Sequence, residues 1–197
     1  MTAPGVPSDE MCLRYASGAL DPALSLLVDA HLARHPATQA RIEAFRELGG
    51  AALAAEAPAP MTAGALDVVF ARIAREDAAP PAAFNLADLQ WRWAGFGCRV
   101  ARYDVPGSRL KTFAIKVAPG AALLSHGHEG NEWTVIVEGA YRDESGVFPA
   151  GSFIEEDDET QHRPVADETQ GCVCLIAMTG DLVAPGLVGA LARWALR

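Results

Sequence analysis

Lysine is almost missing from this chain: two stand against fourteen arginines, and 25 acidic residues outnumber 16 basic ones. The net charge of −9 leaves no basic stripe able to displace counterions from phosphates, which excludes direct nucleic-acid binding. The excess of arginine, like that of alanine, reads as coding bias. No uninterrupted apolar run approaches the roughly eighteen residues of a membrane span. The opening MTAPGVPSDEM has neither the basic start nor the apolar core of a signal peptide, so a cytoplasmic protein without membrane contact is expected. Cys12, Cys98, Cys172 and Cys174 show no Cys-x-x-Cys spacing and no disulfide-framework density. Cys172 and Cys174 point to one face of a single strand, with Cα atoms near the upper limit for a bridge, so buried reduced thiols are expected. What is present is apolar residue, half of the chain, enough for a real core in one large or two small domains.

The first part of the chain has helical period and little β-branching. Ser8 precedes a segment through Ala16, with Asp9 and Glu10 in its opening turn and Gly18 as its stop. Asp21-Pro22 pairs an N-cap acceptor with proline at the first helical position. The helix it opens aligns Leu24, Leu27, Val28, His31 and His35 along one stripe. A third helix runs from Pro36 towards Ala55 with Ile42, Phe45, Leu48 and Leu53 apolar, and Gly49-Gly50 weakens its middle. Thr62 can cap a fourth, with the stripe Leu66, Val69, Phe70 and Ile73. Residues 77–87, DAAPPAAFNLA, have two prolines and no periodicity and read as a linker.

Beyond the linker the period shortens. Trp91 to Val105, Leu110 to Val117, Glu132 to Val137 and Gly171 to Met178 read as strands, and Leu187 to Arg197 as a short amphipathic helix with Trp194 as its anchor. Trp91 and Trp93 share a strand face and are expected in the core or lining a barrel. The run Glu155 to Glu159 reads as a solvated loop. Only five histidines occur, and three of them gather in one region. His126 and His128 project from the same face of any extended segment, Glu132 follows four residues on, and His162 sits in a later segment with strand-like flanks. Three imidazoles and a carboxylate are the donors of sites for zinc, iron, manganese or nickel. The spacing favours Glu132 as a ligand rather than as a base beside one. His31 and His35, four apart on a helix, can in principle share a metal, but with no third ligand in view they read as two partly buried imidazoles.

The turn residues sharpen this pattern. Gly120 lies six residues before His126, Gly139 seven after Glu132, and Pro149-Ala150-Gly151 opens a second half in which His162 comes eleven residues later. Residues 88 to about 185 therefore resemble a cupin, whose first motif is Gly, five residues, His-x-His, three residues, Glu, six residues, Gly. The gap before the second-motif histidine is longer here. The resemblance implies an RmlC-like, jelly-roll antiparallel β-barrel with its metal inside the mouth. Tyr141 and Arg142, just after Gly139, are expected to flank that mouth. The expected fold is then two-domain, α plus all-β: a small helical bundle at 1–76, the linker at 77–87, and a cupin with a closing helix at 88–197.

A helical domain joined to a cupin, together with local sequence, resembles the ChrR-type anti-sigma factors. The matching pieces are SDEMCLRYASGAL at 8–20, LSLLVDAHLARHPATQARIEAFRELGG at 24–50, SHGHEGNEWTVIVEGAYRDESGVFPAGSF and GCVCLIAM at 171–178. The resemblance implies a transcription regulator whose helical domain holds an extracytoplasmic-function (ECF) sigma factor away from RNA polymerase. It implies a cupin that senses an oxidative signal such as singlet oxygen or organic hydroperoxides, and zinc as its metal; the ligand set alone accommodates Fe(II), Mn(II) or Ni(II) equally. A homodimer through the cupin is a further contact to consider. The family pattern also has a zinc site in the helical domain, with a histidine before the first helix and a His-x-x-x-Cys-x-x-Cys. Here His31 keeps the first place of that motif, but His35 and Thr38 hold the cysteine positions and no histidine precedes His31. A second zinc is therefore not expected. The competing function is a metal-dependent cupin enzyme, a dioxygenase or isomerase, because three histidines and a glutamate leave coordination positions open.

Overall fold

A computed structural model describes residues 5–76, 84–95 and 97–183. The expected closing helix with Trp194, and most of the 77–87 linker, lie outside the described residues.

The helix starts follow the sequence signals. α1 (Asp9–Ala16) is capped by Ser8, whose Oγ accepts from the Met11 N–H at 3.2 Å, and Gly18 ends the segment with φ +70°. α2 (Pro22–Leu32) begins with the Asp21 carboxylate accepting from the Ala23 N–H at 2.8 Å. The same carboxylate accepts from Ser108 Oγ at 2.6 Å, so one cap also ties the helix to a barrel loop. α3 (Pro36–Ala54) runs through Gly49-Gly50 without ending there. α4 (Ala65–Glu76) begins three residues after Thr62, whose carbonyl accepts the Ala65 N–H. No helix among the described residues is long and apolar enough to cross a membrane.

Among the described residues eleven strands follow: β1 (Arg92–Gly95), β2 (Cys98–Arg102), β3 (Lys111–Val117), β4 (His126–His128), β5 (Glu132–Arg142), β6 (Val147–Pro149), β7 (Phe153–Glu156), β8 (Gln161–His162), β9 (Val165–Ala166), β10 (Cys172–Met178) and β11 (Leu182–Val183). All their pairings are antiparallel. The larger sheet runs β1-β2-β3-β10-β5-β6, with β7 and β9 also on β5, and the smaller runs β11-β4-β8. The run expected as one strand from Trp91 to Val105 is a hairpin, because Gly95 and Gly97 take positive φ and reverse the chain. Trp93 is 73% exposed, not core or lining, whereas Trp91 packs under the helices. Gly139 is another required glycine: with φ +68°, a Cβ there would lie 2.0 Å from the Gly171 carbonyl oxygen.

The central strand β10 is buried on both faces, and strand alternation explains its unbroken apolar sequence. Cys172, Cys174, Ile176 and Met178 join Val100, Phe113, Ile136 and Ile154 in one buried cluster, on the inner face of the larger sheet. Leu175 and Ala177 face the other way, with Val135 and Phe153, and join a cluster with Leu24, Leu27 and Val28 of α2, to which Ile42 of α3 also belongs. The apolar stripe of α2 is thus seated on the outside of the sheet. All four cysteines are free and buried, as their spacing implied.

β7 is held on its outer face as well. The Phe153 N–H donates to the Gly5 carbonyl at 2.9 Å, and Glu155 accepts from the Ser8 N–H at 2.6 Å. The acidic run is therefore not all loop: Glu155 and Glu156 belong to β7, and only Asp157, Asp158 and Glu159 form an exposed turn.

Candidate metal centre

Two strand pairs bring the chemistry together. In the small sheet β4 lies beside β8 with His126 directly opposite His162. In the large sheet β5 lies beside β7 with Glu132 directly opposite Glu156. Alternation along β4 turns His126 and His128 to one side, and the rings of His126, His128 and His162 come within 4.5 to 5.4 Å of one another, centre to centre. His126, His128 and His162 thus come together, and Glu132 stands against His128 at the side of the cluster. Glu156, which spacing did not single out, joins them. The ligand atoms of His126, His128 and His162 form one mutually close group, and those of His128, Glu132, Glu156 and His162 a second.

Polar contacts fix which nitrogens are free. His126 Nδ1 lies 2.7 Å from the Leu124 carbonyl, which only accepts, so the proton is on Nδ1 and the lone pair on Nε2. His162 Nδ1 lies 2.9 Å from Glu156 Oε1 and 3.4 Å from Asp143 Oδ2. Its Nε2 meets His126 Nε2 at 3.1 Å. Glu132 is fully enclosed: Oε1 accepts from Thr134 Oγ1 at 3.1 Å, and Oε2 stands 3.2 Å from His128 Nε2.

The electrostatics keep His126 and His128 neutral and favour the proton on His162. Burial first, then the neighbouring imidazoles, lowers His126 to about 4, and burial likewise lowers His128. Burial, then the Glu156 carboxylate, pushes Glu132 up to about 7. His162 moves the other way. Burial opposes its charge, but the hydrogen bond and charge of Glu156, with Glu132 and Asp143 behind, leave it raised.

A divalent cation fits these residues. Both ring nitrogens of His128, with Glu132 Oε2, Glu156 Oε2 and Asp143 Oδ2, are buried and meet nothing in hydrogen-bonding geometry. Two carboxylates directly opposite across a strand pair repel unless a positive charge lies near both. Neutral imidazoles and carboxylates are the donors that zinc and its neighbours in the first transition row accept.

The helical histidines have a different fate. His31 is fully buried with both nitrogens engaged: Nδ1 donates to the Gly151 carbonyl at 2.6 Å, and Nε2 accepts from Thr38 Oγ1 at 2.8 Å. His35 stacks on it at 4.5 Å. Burial, the largest influence, takes His31 down to about 4. The family motif that groups His31, His35 and Thr38 anticipates the Thr38 contact, whereas the Gly151 carbonyl carries no local signal. Glu156 is likewise hidden inside an acidic run. Tyr141, expected to flank the mouth, is buried in the barrel, while Arg142 is exposed and paired with Glu168.

The model of the ChrR cupin-like domain family matches residues 82–180. The anti-sigma-E factor ChrR of Cereibacter sphaeroides is 33% identical over 191 residues, with 89% of each chain covered. A chain in the crystal structure of Rhodobacter sphaeroides SigE in complex with the anti-sigma ChrR matches at a TM-score of 0.76 and 34% identity, covering 90% of this chain and all of that one.

Proposed function

Because this chain belongs to the ChrR family, we propose that it is an anti-sigma factor: residues 1–76 capture an ECF sigma factor, and residues 88–197, beyond the 77–87 connection, form a metal-bearing sensor of oxidative stress in the cytoplasm. The observation that carries the reading is α4. Its stripe residues Leu66, Val69, Phe70 and Ile73 are all exposed, by 46 to 59%, and Leu48 and Leu53 in the second half of α3 are exposed too. An amphipathic helix that leaves its apolar face in water has the form of a partner-binding element. Leu27, Phe45 and Phe70 grade from fully buried through half-buried to exposed, as a division between core and interface requires. The solved relative is crystallised with SigE. An acidic chain also steers a basic, DNA-binding partner, and neither nucleic acid nor membrane is needed as a contact of its own.

His126, His128, Glu132 and His162 would hold the ion, and zinc is the metal we assign. When bound, the ion supplies a crosslink between the two sheets at the barrel mouth. The protein residues do the rest. His126 presents Nε2 because Leu124 holds its other nitrogen, and Thr134 orients Glu132. β7 carries Glu156 inward, and on its other face Phe153 and Glu155 meet the helical segment. Release of the sigma factor then follows from a shift in how firmly that strand seats the helices. The family and the exposed α4 favour this regulation over dioxygenase or isomerase chemistry at the same ligands.

Co-expression with the sigma factor encoded nearest the gene tests the proposal. The full-length protein is expected to co-purify with it, and Phe70→Asp protein, equally stable, to lose it. A full-length protein that binds metal yet retains no sigma factor would overturn the anti-sigma assignment and leave a metallocupin.

A further inference from the structure

We propose that Glu156 is a positioning carboxylate of the metal centre, which holds His162 in the Nδ1–H tautomer so that its Nε2 lone pair points at the place addressed by His126 Nε2. The assignment rests on the metal reading above and extends it to a residue outside the four ligands. An imidazole has one lone pair to give, and the acceptor at the other nitrogen decides where it is. For His126 the Leu124 carbonyl makes that decision. For His162 two carboxylates stand against Nδ1, Glu156 Oε1 at 2.9 Å and Asp143 Oδ2 at 3.4 Å.

Asp143 is already committed. Its Oδ1 accepts from the Ser145 N–H at 2.8 Å, Ser145 Oγ at 2.6 Å and the Gly146 N–H at 3.2 Å. This fixes the carboxylate at the longer distance, as a second negative charge behind the first. Glu156 is the nearer partner, and the fold aims it. Its oxygen lies at hydrogen-bonding distance, although His162 Nδ1 meets no partner in full hydrogen-bonding geometry. In β7 the alternation sends Glu155 outward to Ser8 and Glu156 inward to His162. Both carboxylates of the His162 contact are buried, with side chains 8% and 1% exposed. A carboxylate so placed orients the ring and raises the basicity of its far nitrogen, as partners of metal-bound histidines do.

Glu156 is also close enough to serve as a ligand itself. The two roles make opposite demands on its charge, because a neutral amide oxygen still accepts from Nδ1–H but is a poor ligand for zinc. The test uses full-length protein carrying Glu156→Gln or Glu156→Leu. Zinc affinity is measured by chelator competition, the Co(II) visible spectrum is recorded, and the ring nitrogens of His162 are read by long-range 1H–15N NMR. If Glu156 positions His162, Gln keeps one equivalent of zinc within about tenfold of wild-type affinity, with the same Co(II) spectrum and the same His162 tautomer. Leu loses about 10- to 100-fold in affinity and mixes the tautomers. A changed Co(II) spectrum in the Gln protein overturns the assignment in favour of direct ligation. A Leu protein with wild-type affinity and tautomer overturns it in favour of a bystander. Wild-type protein that takes up no metal overturns the centre itself, and this role with it.

Discussion

Replacing His31 by alanine should cost the folded protein about 3–5 kcal/mol. Two buried groups lose their partner, the Gly151 carbonyl and the Thr38 hydroxyl, and each such loss costs about 1 kcal/mol or more. The ring also packs edge-on against Phe153 at 6.1 Å, and emptying its site adds about 2 kcal/mol of lost contact and cavity. The same residue should write its signature on the pH dependence. Its pKa is lowered in the fold, from 6.5 to about 4, chiefly by burial, so the unfolded chain binds the proton more readily. The contribution is therefore complete above about pH 6.5, is lost as pH falls towards about 4, and totals at most about 3 kcal/mol. Urea unfolding followed by tryptophan fluorescence, run from pH 7.5 to 4, measures both quantities. The substitution His31→Gln removes the titration while keeping a donor and an acceptor, so its acid slope should be shallower than wild type by up to one proton. A His31→Ala penalty below about 1 kcal/mol, or parallel acid slopes for wild type and His31→Gln, would refute the reasoning.

Gly139→Ala should destabilise by more than about 2 kcal/mol, because its Cβ would meet the Gly171 oxygen and its φ is positive. Gly49→Ala, exposed in mid-helix with nothing within 4 Å, should stabilise by up to about 1 kcal/mol; thermal melts of the pair check both signs. Metal content after dialysis should fall as pH drops below the histidine range, since protons compete for the imidazoles; occupancy unchanged down to about pH 4 would count against histidine ligation. His128→Ala protein should hold no tightly bound equivalent, and elemental analysis that still finds one per chain would remove His128 from the site.

Much of this was legible because the deciding physics is local. Ser8, Asp21-Pro22 and Gly18 act on backbone groups a few residues away, and the structure places the helix ends where they indicate. His126, His128 and Glu132 are legible because β4 and β5 are adjacent in sequence, so spacing and strand alternation suffice to turn them together. His162 required a motif, since its place opposite His126 depends on pairing across 36 residues. Glu156 was not legible: a buried carboxylate and a solvated one look alike within Glu155 to Glu159, and only the pairing of β7 with β5 separates them. The seating of α2 on the sheet was missed for a related reason. An apolar stripe states that a face will be covered but not by what, and here much of the cover is the sheet, through β5, β10 and β7.

The division of β10 and β7 between two faces bears on how such proteins can be recombined. On each strand alternate residues answer to different selective demands: Ile154, Glu156, Cys174 and Ile176 to the barrel interior, Phe153, Glu155, Leu175 and Ala177 to whatever helices are seated outside. Substitution at one set leaves the other set's surroundings intact, so the choice of helical domain and the contents of the barrel can drift separately within a single strand. A chimera that joins this barrel to the helices of a relative should accordingly fail at a cut placed in the linker alone. It should succeed when the outward residues of these two strands and of β5, Val135 among them, travel with the helices.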